Sequence, residues 1–138
     1  MVIEYIRDII KSYSGLKDNA LLNVDYLSDK PIEYVIESVP SDEQIETYID
    51  GSALMGKTFV FATKENYGED VLQNIANLDF WEGFIDWVDD LVLLDMPDNC
   101  YPQKLKCLTG GYLINADTKT GKYQIQMRLE YLKEVSSG

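Results

Sequence analysis

Apolar residues recur at three- and four-residue steps at the start of the chain. Val2, Tyr5, Ile6, Ile9, Ile10 and Tyr13 form one stripe closed by Gly15, which predicts a short amphipathic helix. The period then changes. Leu21 to Leu27 reads as extended, and the turn Ser28-Asp29-Lys30-Pro31 feeds Ile32, Tyr34 and Ile36, alternating with Glu33, Val35 and Glu37; together these predict a β-hairpin. Residues 39–53 are acidic, weakly patterned and too long for a tight turn, so an irregular exposed loop is expected, of the kind that contacts partners. Period two returns from Met55, with Met55, Lys57, Phe59 and Phe61 on one face and Leu54, Thr58, Val60 and Ala62 on the other, predicting a central strand.

The strongest helical pattern comes next. It opens near Gly68-Glu69-Asp70, where the acids complement the positive end of the helix dipole. One stripe runs Val71, Ile75, Leu78, Trp81 or Glu82, Ile85 and Val88, and a second runs Phe80, Phe84, Trp87 and Leu91; together they are wide enough to pack across a sheet. Pro97 and Pro102 bracket a break. Lys104 to Asn115 is extended again, with Gly110-Gly111 marking a bend or bulge. Tyr123, Ile125, Met127, Leu129 and Tyr131 then alternate with polar residues, and the turn from Asp117 to Lys122 makes them the return arm of a hairpin. The expected architecture is therefore α+β: a mainly antiparallel sheet with a short N-terminal helix and one long helix packed on one face. It is expected as a single domain over residues 1–135, with a flexible tail at 136–138.

Composition narrows the class. A length of 138 residues suits one domain, and an apolar fraction of 46% with ten tyrosines and two tryptophans assigns the net charge of -12 to a folded surface rather than to a disordered acidic chain. No apolar run approaches the roughly 18 residues needed to cross a bilayer, and Glu4, Arg7 and Asp8 interrupt any leader-like stretch, so a cytosolic product is expected. Cys100 and Cys107 read as free thiols. Residues 1–103 hold 21 acids and 6 bases, whereas residues 104–138 hold 3 acids and 6 bases. That asymmetry argues against wrapping a nucleic-acid backbone and suits self-association of unlike faces; plain solubility is the alternative explanation.

Candidate chemistry is thin. Gly51-Ser52-Ala53-Leu54-Met55-Gly56-Lys57-Thr58 satisfies the phosphate-loop pattern, and Leu91-Val92-Leu93-Leu94-Asp95 imitates a magnesium-holding strand. A phosphate loop must follow a buried strand and open a helix, so that amides and dipole converge on the phosphates, but here the string leads into the β-branched and aromatic run Thr58 to Thr63. A turn entering a strand is the preferred reading. Asp86, Asp89, Asp90, Asp95 and Asp98 cluster without the alternation of a calcium loop and read as a solvated helix end. The chain has no histidine, which removes the usual general base, the Ser-His and Cys-His nucleophile arrangements and the commonest metal ligand. Trp81, Phe84 and Trp87 sit at helical spacing and read as core.

Short patches along nearly the whole chain carry a resemblance. They are the helix Ile3 to Tyr13, Tyr34-Val35-Ile36-Glu37-Ser38-Val39-Pro40, the strand Lys57 to Thr63, the segment Asn74 to Glu82 with Phe84-Ile85-Asp86-Trp87, and the closing Tyr123 to Tyr131. In these the chain resembles phage tail terminators, the neck proteins of long-tailed phages and prophages, sometimes labelled minor capsid proteins. The resemblance implies a structural virion protein made in the bacterial cytoplasm. It would assemble as a ring, usually hexameric, on the last tail-tube ring, stop tube growth and present a surface to the head connector, with DNA passing through but not specifically bound. No catalytic, cofactor-binding or metal residue is implied. Within that frame the loop 40–56, with Glu43, Glu46, Tyr48, Asp50 and Met55, is the expected tail-tube contact. Lys119, Lys122 and Arg128, facing Asp89 and Asp90 of a neighbour, are the expected subunit interface. The alternatives are another head-tail joining or head-closure protein, an adaptor binding a basic host protein through its acidic face, and, from another class, a small nucleotide-binding enzyme built on Gly51 to Thr58.

Overall fold

The computed structural model describes residues 2–16, 22–25, 33–68, 71–117 and 119–134, with the side chains of 41–43 and 71–73 excepted. In chain order these form α1 (Val2–Lys11), β1 (Leu22–Val24), β2 (Glu33–Thr47), β3 (Ala53–Asn66), α2 (Val71–Asp89), β4 (Cys100–Cys107), β5 (Tyr112–Ala116) and β6 (Thr120–Lys133). One sheet contains every strand in the order β1-β2-β3-β6-β4, with β5 on the same side of β6 as β4. All pairings except β1 with β2 are antiparallel, so the fold is α+β, as the alternation of periods predicts.

Alternation in β3 and β6 decides which face is covered. Phe59 and Phe61 of β3 lie opposite Met127 and Ile125 of β6, and these four, with Leu129, Tyr34 and Ile36, are sealed from solvent on the helix side. Helix α2 lays Asn77, Trp81, Phe84 and Val88 on that surface, at steps of four, three and four. Phe61 sits at the centre, with ring centroids 5.0 Å from Phe84 and 5.6 Å from Trp81. Just beyond α1, Tyr13 packs its ring 5.4 Å from Phe84 and 4.9 Å from Trp87, which joins the two helices; the stripe Phe80, Phe84, Trp87 therefore behaves as its spacing predicts. The expected bend at Gly110-Gly111 separates β4 from β5. A Cβ on Gly111 would fall 2.0 Å from Cγ of Trp81, so only glycine lets the backbone pass so close to the indole.

Pro102 does not bound a break, since β4 already begins at Cys100 and contains it. Three further expectations need correction. The segment 21–27 does not return as a hairpin: β1 runs parallel to β2, in the register Leu22↔Tyr34, Asn23↔Val35, Val24↔Ile36. Asp25 ends it with φ 55, donates its backbone N–H to Ile36 O at 2.9 Å, and accepts at its carboxylate from the N–H and hydroxyl of Ser38 at 2.7 and 2.6 Å. Those bonds fix β1 alongside β2 instead of turning it back; the turn 28–31 lies outside the described residues. Second, residues 39–53 are not an irregular loop. Most continue β2 to Thr47, and after the turn β3 begins at Ala53. The pattern was obscured because Gln44 to Thr47 are exposed on both faces and register shifts between Ser38 and Asp42 and between Gln44 and Glu46 break the alternation. Third, Ile75 and Leu78 do not reach the core: each is 48% exposed, on the flank of α2 turned away from the sheet. The start of α2 near 69–70 and the tail at 136–138 lie outside the described residues.

Replacing the central ring, Phe61→Ala, is expected to cost about 3–5 kcal/mol in urea unfolding, while Leu78→Ala costs under about 1 kcal/mol. Equal losses at both positions would contradict this division of α2 into a packed and an open side.

Candidate protein-binding surface

The distal half of the β2–β3 hairpin holds the most exposed large apolar side chain among the described residues, Ile49. At its tip the N–H of Tyr48 donates to Ser52 O at 2.8 Å and that of Gly51 to Tyr48 O at 3.0 Å, with Gly51 in the left-handed region at φ 90. The Asp50 carboxylate accepts from the hydroxyl and the N–H of Ser52 at 2.6 and 2.9 Å, and these bonds hold its carboxyl below the usual carboxylate range. A tip built this way is preorganised, and it projects Ile49 fully into solvent beside Ile45 and Tyr48, each 41% exposed. Of the expected tube-contact residues, Glu46, Tyr48 and Asp50 are exposed here, Glu43 stands opposite Gly56 in the ladder, and Met55 is half-buried against the core.

The same hairpin contains the glycine-lysine string, and the ladder shows what its amides do. Gly51 belongs to the turn, while Ala53 to Thr58 run through β3, between β2 and β6. Strand β3 continues to Asn66, so no helix opens after Lys57-Thr58 to aim a dipole at a phosphate. Leu91 to Asp95 follow α2 as irregular chain, not as a strand.

The sheet face opposite the helices is polar. Lys122 forms an ion pair with Glu37, spanning the row of Val35, Ala62 and Gln124, all three of which are buried. Lys106 Nζ lies 2.7 Å from Glu130, and Arg128 extends over Gly56, where a Cβ would come within 2.6 Å of its Nε. Of the expected interface cations, Lys122 and Arg128 are thus engaged on this face, and Lys119 is exposed in the β5–β6 turn. There the Asp117 carboxylate accepts from the N–H groups of Lys119 and Thr120 at 2.8 and 2.7 Å. Asp89 and Asp90 are exposed at the end of α2, and the structure does not bring them to these cations within one chain.

Among the described residues no group of three His, Cys, Asp or Glu side chains converges to hold a metal. Asp86, Asp89, Asp90, Asp95 and Asp98 are all exposed. Cys100 and Cys107 are free. Burial pushes the Cys100 thiol up, and burial together with the nearby Asp89 carboxylate pushes that of Cys107 up to about 11, the opposite of an activated nucleophile.

One surface was missed from sequence. Strand β5 is exposed at all five positions, including Tyr112, Leu113 and Ile114, and after α2 the side chains of Val92 and Leu94 stand 85% and 76% exposed. The sequence shows the run Tyr112-Leu113-Ile114 as extended but not as exposed, because hydropathy does not distinguish a sheet centre from its edge. No family model and no curated protein sequence matches the chain.

The thiols supply a direct check. A raised pKa leaves the neutral form dominant at pH 8, so Cys107 is expected to alkylate slowly there. Its rate should rise about tenfold per pH unit until the pH nears 11. Fast labelling at pH 7 would contradict the burial of this thiol.

Proposed function

We propose that the protein is a structural assembly subunit of the tail-terminator kind. It caps the end of a phage tail tube together with copies of itself and offers its other side to a head-joining partner. The observation that carries this reading is the preorganised β2–β3 hairpin, whose tip holds Ile49 wholly in solvent and Ile45 and Tyr48 half out. A lone chain gains nothing from holding an apolar tip in water, whereas a subunit that docks on another protein recovers that surface as contact area. The segmental resemblance along the chain supports the same reading.

The test is light scattering over a concentration series, first with the protein alone and then with its neighbouring tube protein. A closed oligomer, or a monomer that assembles only on tube ends, is the expected result. Ile49→Asp should weaken tube capture by about tenfold or more without lowering thermal stability, since that side chain touches nothing in its own chain. A monomer indifferent to tubes at every concentration would overturn the proposal.

A further inference from the structure

Charge is ordered across the sheet. Strand β2 carries Glu33, Glu37, Asp42, Glu43 and Glu46 and no base. The central strands are mixed: β3 has Lys57, Lys64 and Glu65, and β6 has Lys122, Arg128, Glu130 and Lys133. At the far side, β4 carries Lys104 and Lys106 and no acid. Both ends of this gradient are open. β1 pairs with β2 only over Tyr34 to Ile36, so Asp42 to Thr47 have no outer strand partner among the described residues, and the sheet order ends at β4.

The two open edges also match in direction and height. Three antiparallel junctions separate β2 from β4, so the edges run oppositely, and a copy rotated about an axis parallel to the strands brings its β2 antiparallel to the first copy's β4. One row of the ladder crosses the whole sheet as Glu43, Gly56, Glu130 and Lys104, which places an acid and a lysine at the same level on opposite edges. The rows on either side run Asp42, Lys57, Leu129 and Leu105, and Gln44, Met55, Tyr131 and Pro102.

We infer that the partner of each open edge is the opposite edge of a second copy of this chain, Asp42–Thr47 of β2 pairing head-to-tail with Cys100–Leu105 of β4. This deepens the self-assembly reading above and rests on it. Unlike charge selects the heterologous pair, and repulsion of acid against acid keeps two β2 edges apart, as lysine against lysine does for β4. Pro40 and the register shift beside it stop the pairing at Asp42, and on β4 Pro102, with the shift that follows it, leaves the contact of about six residues one N–H short and bent at its middle. So short an edge falls below the area of a standard stable interface, so association should depend on concentration and salt and be helped by ring closure.

The experiment is sedimentation velocity of the full chain at low and high salt, with the wild type, two variants and the mixture of the two. Lys104→Glu makes both edges acidic, and Glu43→Lys with Glu46→Lys makes the β2 edge basic. Each variant alone should raise the concentration for half-assembly at least about tenfold with unchanged melting temperature. An equimolar mixture, in which acidic and basic edges meet again, should recover assembly as an alternating oligomer. If the wild type assembles and Lys104→Glu assembles equally well, the edge pairing is wrong while the self-assembly reading stands. If the variants fail alone and the mixture also fails, charge matching between these edges is overturned. A wild type that stays monomeric, with and without tubes, overturns both.

Discussion

Everything in this fold depends on one aromatic contact, the seat of Trp81 and Phe84 on Phe61. The sheet's central strands are apolar on one side only, and α2 is the element wide enough to cover them. Because α2 places Asn77, Trp81, Phe84 and Val88 on that surface, its other side is left to solvent, and α1 is held through Tyr13 against the same helix. The glycine at 111 exists for this seat, since the chain must pass the indole more closely than any side chain allows. With its aromatic core secured on one side of the sheet, the protein leaves the hairpin tip out in solvent, while the other side keeps a smaller buried patch of Glu33, Val35, Ala62 and Gln124.

That division explains what was legible in the sequence. Strands β3 and β6 and the packed stripe of α2 are one-sided, so burial imposes a period and the period can be read. The β5–β6 turn was legible for a different reason: Asp117 carries its own mechanism, accepting the two amides that close the turn. The distal part of β2 was not legible, because backbone pairing with β3 makes it a strand while neither of its faces is buried. The parallel course of β1 was hidden too. It is set by Asp25 bonding to Ser38, thirteen residues away, and no local pattern encodes a contact of that span. Ile75 and Leu78 fit a helical stripe, but periodicity does not say which of two apolar stripes the sheet accepts.

The candidate site was legible in outline and misread in form. Glu46, Tyr48 and Asp50 fall at the exposed tip as expected, yet they ride on a hydrogen-bonded hairpin instead of a loose loop, which lowers the ordering cost of docking. The glycine-lysine string failed as a phosphate loop for the reason its downstream residues announce: β-branched and aromatic side chains continue the ladder, and a ladder leaves no convergent amides.

The placement of the two tryptophans has an optical consequence. Trp81 is sealed beneath α2 and Trp87 lies half-buried against Tyr13, so indole emission reports whether the helices are seated on the sheet. Neither indole stands at the hairpin tip or along the β4 edge, where Tyr48 and Tyr101 are the exposed aromatics. Unfolding and any contact made at the tip or the β4 edge therefore speak through different chromophores in this molecule: indole fluorescence follows the first, and quenching of phenol side chains would follow the second.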